Sequence, residues 1–134
     1  EEAGIPYDPT LVYEGKVDYD SGIGLARKLC NENKDVTAVV ATADILAIGA
    51  MKGFYEQGVS VPNDISIVGF DDLEISKYLT PGLTTVRQEI SQKGEKAVEL
   101  LLDNIQDADM TKREVIIPVS LSRRESVRDM RGEE

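Results

Sequence analysis

Two short apolar runs, Thr37–Thr42 and Ile65–Phe70, lie on either side of one helical pattern, and this arrangement constrains the fold more than any other feature of the chain. Thr37-Ala38-Val39-Val40-Ala41-Thr42 is an unbroken string of small and β-branched residues with no polar alternation. Such a strand fits a parallel sheet covered on both faces. Asp44 then reads as the N-cap of a helix, with Ile45, Ile48, Met51, Lys52 and Tyr55 at one spacing and Gly58 as its stop. Pro62-Asn63-Asp64 reads as a turn before the second run. Upstream, Thr10-Leu11-Val12-Tyr13-Glu14, closed by Gly15, reads as a further strand. Asp20-Ser21 reads as the cap of a helix carrying Ile23, Ala26, Leu29 and Cys30 up to about Asn33. Strand, helix, strand, helix, strand predicts an α/β fold, a doubly wound parallel sheet with right-handed crossovers.

The pattern changes after Phe70. Residues 71–82 form a polar loop ending in Thr80-Pro81-Gly82, and Leu83–Val86 reads as a short extended crossing segment. A helix is expected over Glu89–Ile105, with Ile90, Ala97, Val98, Leu101, Leu102 and Ile105 on one stripe. Glu114–Leu121 closes the chain as a strand, and Pro118 assigns it to an edge or a bulge.

Composition narrows the function by exclusion. A chain of 134 residues holds one domain with a real core. Its net charge of −10 opposes a nucleic-acid surface, which needs clustered Lys and Arg. Arg123, Arg124, Arg128 and Arg131 are interrupted by Glu125 and Asp129 and read as a solvated strand end and tail. The absence of histidine removes Ser-His-Asp and Cys-His nucleophile machinery along with the commonest metal ligand, so neither an enzyme nor a metal site is expected. Cys30, the only cysteine, permits no intrachain disulfide and reads as a buried small hydrophobe, which suits a reducing compartment. No apolar run approaches the roughly 18 residues of a membrane span. The opening EEAGIPYDP reads as the tail of a helix and a turn rather than a natural N-terminus.

Open parallel sheets bind ligands beyond the carboxyl ends of their strands, where loops and helix N-termini gather. The expected strands deliver Glu14 and Asp18, then Asp44, then Asp71 and Asp72 to that edge. Several carboxylates around a cleft suit a neutral ligand rich in hydroxyls, because a carboxylate accepts two hydroxyl hydrogens at once. Plainer readings stand beside this one: Asp44 as a helix cap, Asp71 or Asp72 as a turn former, Glu14 and Asp18 as solvated charges. Gly22, Gly24, Gly49, Gly53 and Gly94 make no phosphate-cradling motif, and no cofactor is expected. A phospho-accepting receiver domain also gathers aspartates at strand ends. It needs an acidic pair at the first strand, whereas the pair here follows the third.

Three linked stretches, Thr42–Ala50, Gly58–Asp72 and Tyr78–Gln88, resemble the lactose-repressor/galactose-repressor family of transcription regulators in order and spacing. Ser120–Ser126 resembles that family's last strand, and Asp18-Tyr19-Asp20-Ser21-Gly22 fits its catabolite-control type members. The likeness runs from about Tyr13 to Ser126. It implies a DNA-binding head upstream and a two-lobed sensor like a periplasmic sugar-binding protein, with the effector held between the lobes. Residues 1–82 would then be the C-terminal lobe, 83–110 a crossover and one helix of the N-terminal lobe, and 111–134 the lobe's final strand and tail.

The resemblance also assigns residues. Asp71 matches the effector-binding aspartate, and Gln88 sits where a ligand-contacting or hinge polar residue occurs. Ala43 stands where many members have an asparagine that bonds the effector, and Val17 where many have a stacking aromatic. Asp44 completes the expected effector-binding set. Ile48, Lys52, Ile75 and Leu79 match the dimer face. The implied partners are a small-molecule effector, carbohydrate in class, or a phosphocarrier-type corepressor protein, together with a second copy of the chain. Operator DNA is reached only through the head, and the location is cytoplasmic. The family's effector-binding arginine would lie upstream of Glu1, so the chain alone is expected to bind sugars weakly or not at all. Its 89–105 stripe is expected to bury Val98, Leu101 and Leu102 in a dimer or a domain swap. A transport-associated sugar-binding protein of the same architecture is the second reading.

Overall fold

A computed structural model describes residues 4, 6–106 and 114–130. Among these residues the chain forms α1 (Tyr19–Glu32), β1 (Ala38–Val40), α2 (Asp44–Glu56), β2 (Ser66–Phe70), β3 (Thr84–Arg87), α3 (Ile90–Gln106) and β4 (Ser120–Ser122). Two 3-10 turns accompany them, Pro9–Leu11 and Glu74–Tyr78. The sheet runs in the order β1-β2-β3-β4. Its first three strands are parallel, with Val39 opposite Ile67 and Gly69 opposite Thr85, and β4 returns antiparallel to β3 with Leu121 opposite Val86. The α/β class is as expected, and so are two of the parallel strands, but the third is Thr84–Arg87, expected as a crossing segment, and not Thr10–Glu14.

The core lies where α1 and α2 pack on each other and on β2. Ala26, Ala47, Phe54, Ile65, Ile67 and Leu83 are buried within it. The two helices approach closely because Gly22 and Gly49 carry no side chains. A Cβ on Gly49 would collide with the Tyr19 carbonyl, and one on Gly22 with the Leu46 carbonyl. These glycines serve helix packing. At the far end, residues beyond β4 wedge between β2 and β3: Ile67 N–H donates to Ser126 O, and buried Ser126 Oγ donates to Ile67 O (2.6 Å) and accepts from Thr84 N (2.8 Å).

Several expectations change. Thr10–Glu14 forms no strand. Asp8 accepts from Thr10 N and Thr10 Oγ1, closing the turn at Pro9, while Tyr13 Oη meets Glu32 and Asn33 at the end of α1. The segment is thus tied to α1 instead of pairing with β1. As a result β1 is an edge strand, not one covered on both faces, and Val40 is 80% exposed. An apolar cleft of about 220 Å³ runs between this edge and Leu11 and Tyr13. The cap of α1 is Asp18, which accepts from Ser21 N at 2.7 Å, rather than Asp20-Ser21. Ala43 occupies the N-cap of α2 without a side-chain bond, so Asp44 is not the cap. The closing strand is confined to Ser120–Ser122, at the sheet's edge, with Pro118 outside it.

The residues of α3 follow the expected helical pattern, but its apolar side chains are uncovered: Val98, Leu101, Leu102 and Ile105 are all more than half exposed. Cys30 is half-buried at the end of α1, and burial pushes its thiol above the ordinary value, which is the reverse of a reactive thiolate. Among the described residues no helix is long and apolar enough to cross a membrane.

Candidate ligand site at the carboxyl edge of the sheet

Because β1, β2 and β3 run parallel, their carboxyl ends share one edge. The chain leaves β1 into Ala43 and Asp44, β2 into Asp71 and Asp72, and β3 into Gln88. Asp71 N–H continues the ladder by donating to Val86 O at 2.9 Å. Asp71 and Asp72 both adopt positive φ, 116° and 51°, a region that aspartate tolerates better than most residues and that ends the strand abruptly. In this conformation Asp71 Oδ1 accepts from Gln88 Nε2 at 2.8 Å. The two residues assigned by resemblance, 17 positions apart in sequence, are in direct contact.

Asp72 serves the scaffold. Its carboxylate takes Arg124 Nη2 at 2.6 Å and Ser122 Oγ at 2.8 Å, with both charged side chains largely buried. Burial pushes the Asp72 carboxyl up, but the hydrogen bonds from Arg124 and Ser122 and the guanidinium charge outweigh it and hold the group below the usual carboxylate range. Arg124 also donates to Leu83 O at 2.7 Å. This corrects the reading of the arginine cluster as wholly solvated. Arg124 clamps β4 and the start of β3 to the loop after β2, and its partner is 52 residues away, beyond any local sequence signal.

Asp44 departs furthest from expectation. Its side chain is fully buried, not open to the edge, and is surrounded by protein donors: Leu73 N–H at 2.8 Å, Ser76 Oγ at 2.6 Å and Thr85 Oγ1. It cannot meet a ligand directly, because its acceptor oxygens already face groups that would otherwise be unsatisfied. Ala43 is buried beside it. Val17 is exposed in the segment leading into α1 and takes no part in the Asp71–Gln88 contact. Glu14 is exposed, and Asp18 is spent on its cap, whose backbone bond from Ser21 lowers its pKa. On the other side of α2, Ile48, Lys52 and Leu79 line one shallow groove of about 640 Å³ together with Tyr55 and Pro81. Ile75 stands exposed on the 3-10 turn Glu74–Tyr78. No cluster of acidic residues and cysteine suited to a metal ion occurs among the described residues.

Known proteins place this geometry in context. The family model for the periplasmic binding protein-like domain matches residues 1–127. The transcriptional regulator MalR of Clostridium butyricum is 39% identical over 125 residues, covering 93% of this chain and 37% of that protein. Among solved structures, the transcriptional regulator CelR–cellobiose complex superimposes with a TM-score of 0.86 at 34% identity, over 93% of this chain and 38% of the other. A LacI family transcriptional regulator from Enterococcus faecium with bound ribose gives 0.72 at 34% identity, over 82% and 40%. The chain spans less than half the length of each of these proteins. With the parallel sheet, the strand-end aspartate and the matched family together, the chain belongs to the periplasmic binding protein-like domain family, in the form shared by LacI-family transcriptional regulators.

Proposed function

We infer that the chain is the effector-sensing part of a bacterial LacI-type transcription regulator, and that Asp71 and Gln88 contact a neutral, hydroxyl-rich small molecule, a sugar in class. The contact between these two side chains at the carboxyl edge carries the reading. A carboxylate offers further acceptor positions beyond the one Gln88 fills, and the amide offers both a donor and an acceptor, which is the equipment that vicinal hydroxyls require. Similar regulators hold cellobiose and ribose in their solved structures. Ala43 and Val17 stand in this reading at the positions where the resemblance places an effector-bonding asparagine and a stacking aromatic. Within residues 83–110, the stretch after β3 is the crossover to a second lobe and its helix, and 111–134 carry the final strand of this lobe and a tail. Ile48, Lys52, Ile75 and Leu79 face a second copy of the regulator. Operator contact belongs outside these 134 residues, consistent with a net charge of −10, and the setting is the cytoplasm. A transport protein shares the lobe geometry, and the regulators among the relatives favour the sensor.

Titration of the chain with cellobiose and with ribose, followed residue by residue in amide NMR spectra, tests this. Shifts centred on Asp71 and Gln88, with a dissociation constant in the millimolar range (roughly 4 kcal/mol), are expected of half a pocket. Shifts centred away from Asp71 and Gln88 overturn it.

A further inference from the structure

We propose that Asp44 is the positioning residue of the sensor site: it does not touch the effector, but its buried carboxyl group holds the loop after β2 in the shape that aims Asp71 at Gln88. The proposal rests on the sensor reading for what the site does, and on geometry alone for what Asp44 does.

Asp44 is the first residue of α2, where the free N–H groups of the helix start favour negative charge. A fully buried carboxyl group is retained only when it is richly hydrogen-bonded. Its partners come from two elements outside α2. Oδ2 accepts from Leu73 N at 2.8 Å and from Ser76 Oγ at 2.6 Å, both in the segment that follows Asp71 and Asp72. Oδ1 accepts from Thr85 Oγ1 on β3, which itself accepts from Asp72 N at 3.3 Å. Ser76 and Thr85 are completely buried, so solvent offers these hydroxyls no alternative. Asp71 and Asp72 are therefore gripped on both sides. β3 holds Asp71 N through Val86 O, and the Asp44 network holds the backbone N–H groups of Asp72 and Leu73.

Space is reserved for this carboxyl group. Gly69, on β2 directly before Phe70 and Asp71, has no Cβ, and a Cβ there would collide with Asp44 Oδ1. The glycine lets the carboxyl side chain from α2 lie against the strand. With both aspartates of the loop at positive φ, the loop adopts a conformation that L residues disfavour, and a network of this kind maintains it.

The test uses the 134-residue chain and three substitutions. Asp44→Asn keeps the size and turns one acceptor oxygen into a donor, which must face either Thr85 or the Leu73–Ser76 pair. Thr85→Val and Ser76→Ala each remove one hydroxyl and leave Asp44 intact, and they carry the test if Asp44→Asn fails to fold. In each variant the Leu73 or Asp72 amide is expected to exchange with solvent roughly tenfold faster, as loss of one buried bond implies. The Gln88 side-chain amide resonances are expected to move toward solvent positions. The Ile67 amide, bonded to Ser126, should change less than twofold. Uniform loosening that includes Ile67 makes Asp44 an ordinary core residue and overturns the proposal, as do unmoved Gln88 and Leu73 resonances in all variants. Ribose and cellobiose titrations separate the two readings. If the native chain binds a sugar through residues away from Asp71 and Gln88 while the variants release Gln88, the sensor reading falls and the positioning role stands. If the native chain binds and the variants bind equally well, Asp44 does not position the site.

Discussion

Helices α2 and α3 share a motif and differ in fate. Each carries apolar residues at helical spacing, and each has a glycine within it. In α2 the apolar positions, Ala47, Ala50 and Phe54, are buried, and Gly49 lies hard against α1. In α3, Val98, Leu101, Leu102 and Ile105 face outward, and Gly94 has no neighbour within 4 Å of where its Cβ would be. The difference teaches that helical spacing alone does not say which face is covered: α2 buries Ala47, Ala50 and Phe54, whereas Tyr55, on the stripe expected from the sequence, is 77% exposed. Cover comes from what the rest of the chain brings to that face, and here α1 and β2 bring it to α2 alone.

Substitution at Gly49 probes the contrast most severely. Gly49→Val forces side-chain atoms into the Tyr19 carbonyl, where backbone cannot yield, and should destabilise the lobe by more than about 3 kcal/mol in urea titration. A stable Gly49→Val protein would mean that α1 and α2 do not pack as closely as described.

A matched pair comes next. Leu83 is completely buried at the entry to β3, and Leu83→Ala should cost about 3 kcal/mol through lost transfer energy and the cavity left behind. Leu101→Ala on α3 should cost under about 0.5 kcal/mol, as expected at an exposed site. Should Leu101→Ala prove as costly as Leu83→Ala, a second chain covers the α3 stripe in solution. Light scattering would then give a dimer that dissociates in a Leu101→Ala Leu102→Ala variant.

Much of this contrast was legible in the sequence. The runs around Val39 and Ile67 declared parallel strands because they lack polar alternation, and resemblance assigned both Asp71 and Gln88 to the effector site, but their contact depends on β3, which reads in sequence as a crossing segment. What failed to show depended on distant partners. The Thr10–Glu14 run has the composition of a strand, but a strand exists only by pairing, and Tyr13 is drawn instead to Glu32 and Asn33. The donors around Asp44 lie 29 to 41 residues away, so the helix-cap reading was the local answer to a non-local question. Arg124 likewise looks like part of a charged tail until the fold delivers Asp72 to it.

The Asp72–Arg124 pair offers a smaller, pH-dependent effect within the covered half of the molecule. The folded-state pKa of Asp72 is lowered, so its contribution is fully present above the unfolded value of about 3.9 and fades as pH falls through the folded value. Asp72→Asn should therefore cost about 2 kcal/mol near neutrality, in keeping with charge-assisted bonds, and progressively less below about pH 3.9. A cost that stays constant down to acid would assign the loss to packing rather than to charge.

The gentlest change is Gly94→Ala, and its sign is what matters. A glycine inside a helix costs up to about 1 kcal/mol relative to alanine, because it gives up more backbone freedom on ordering. At Gly49 that gain is overwhelmed by collision, whereas at Gly94 nothing stands in the way of a methyl group. Gly94→Ala should raise the helical circular dichroism signal and slow exchange of the α3 amides. It should leave the urea midpoint of the lobe almost unmoved, since α3 has little purchase on the core. If the midpoint rose by the full helix-propensity gain, α3 would unfold together with the lobe, and the division between a covered and an uncovered helix would be one of surface alone, not of cooperativity.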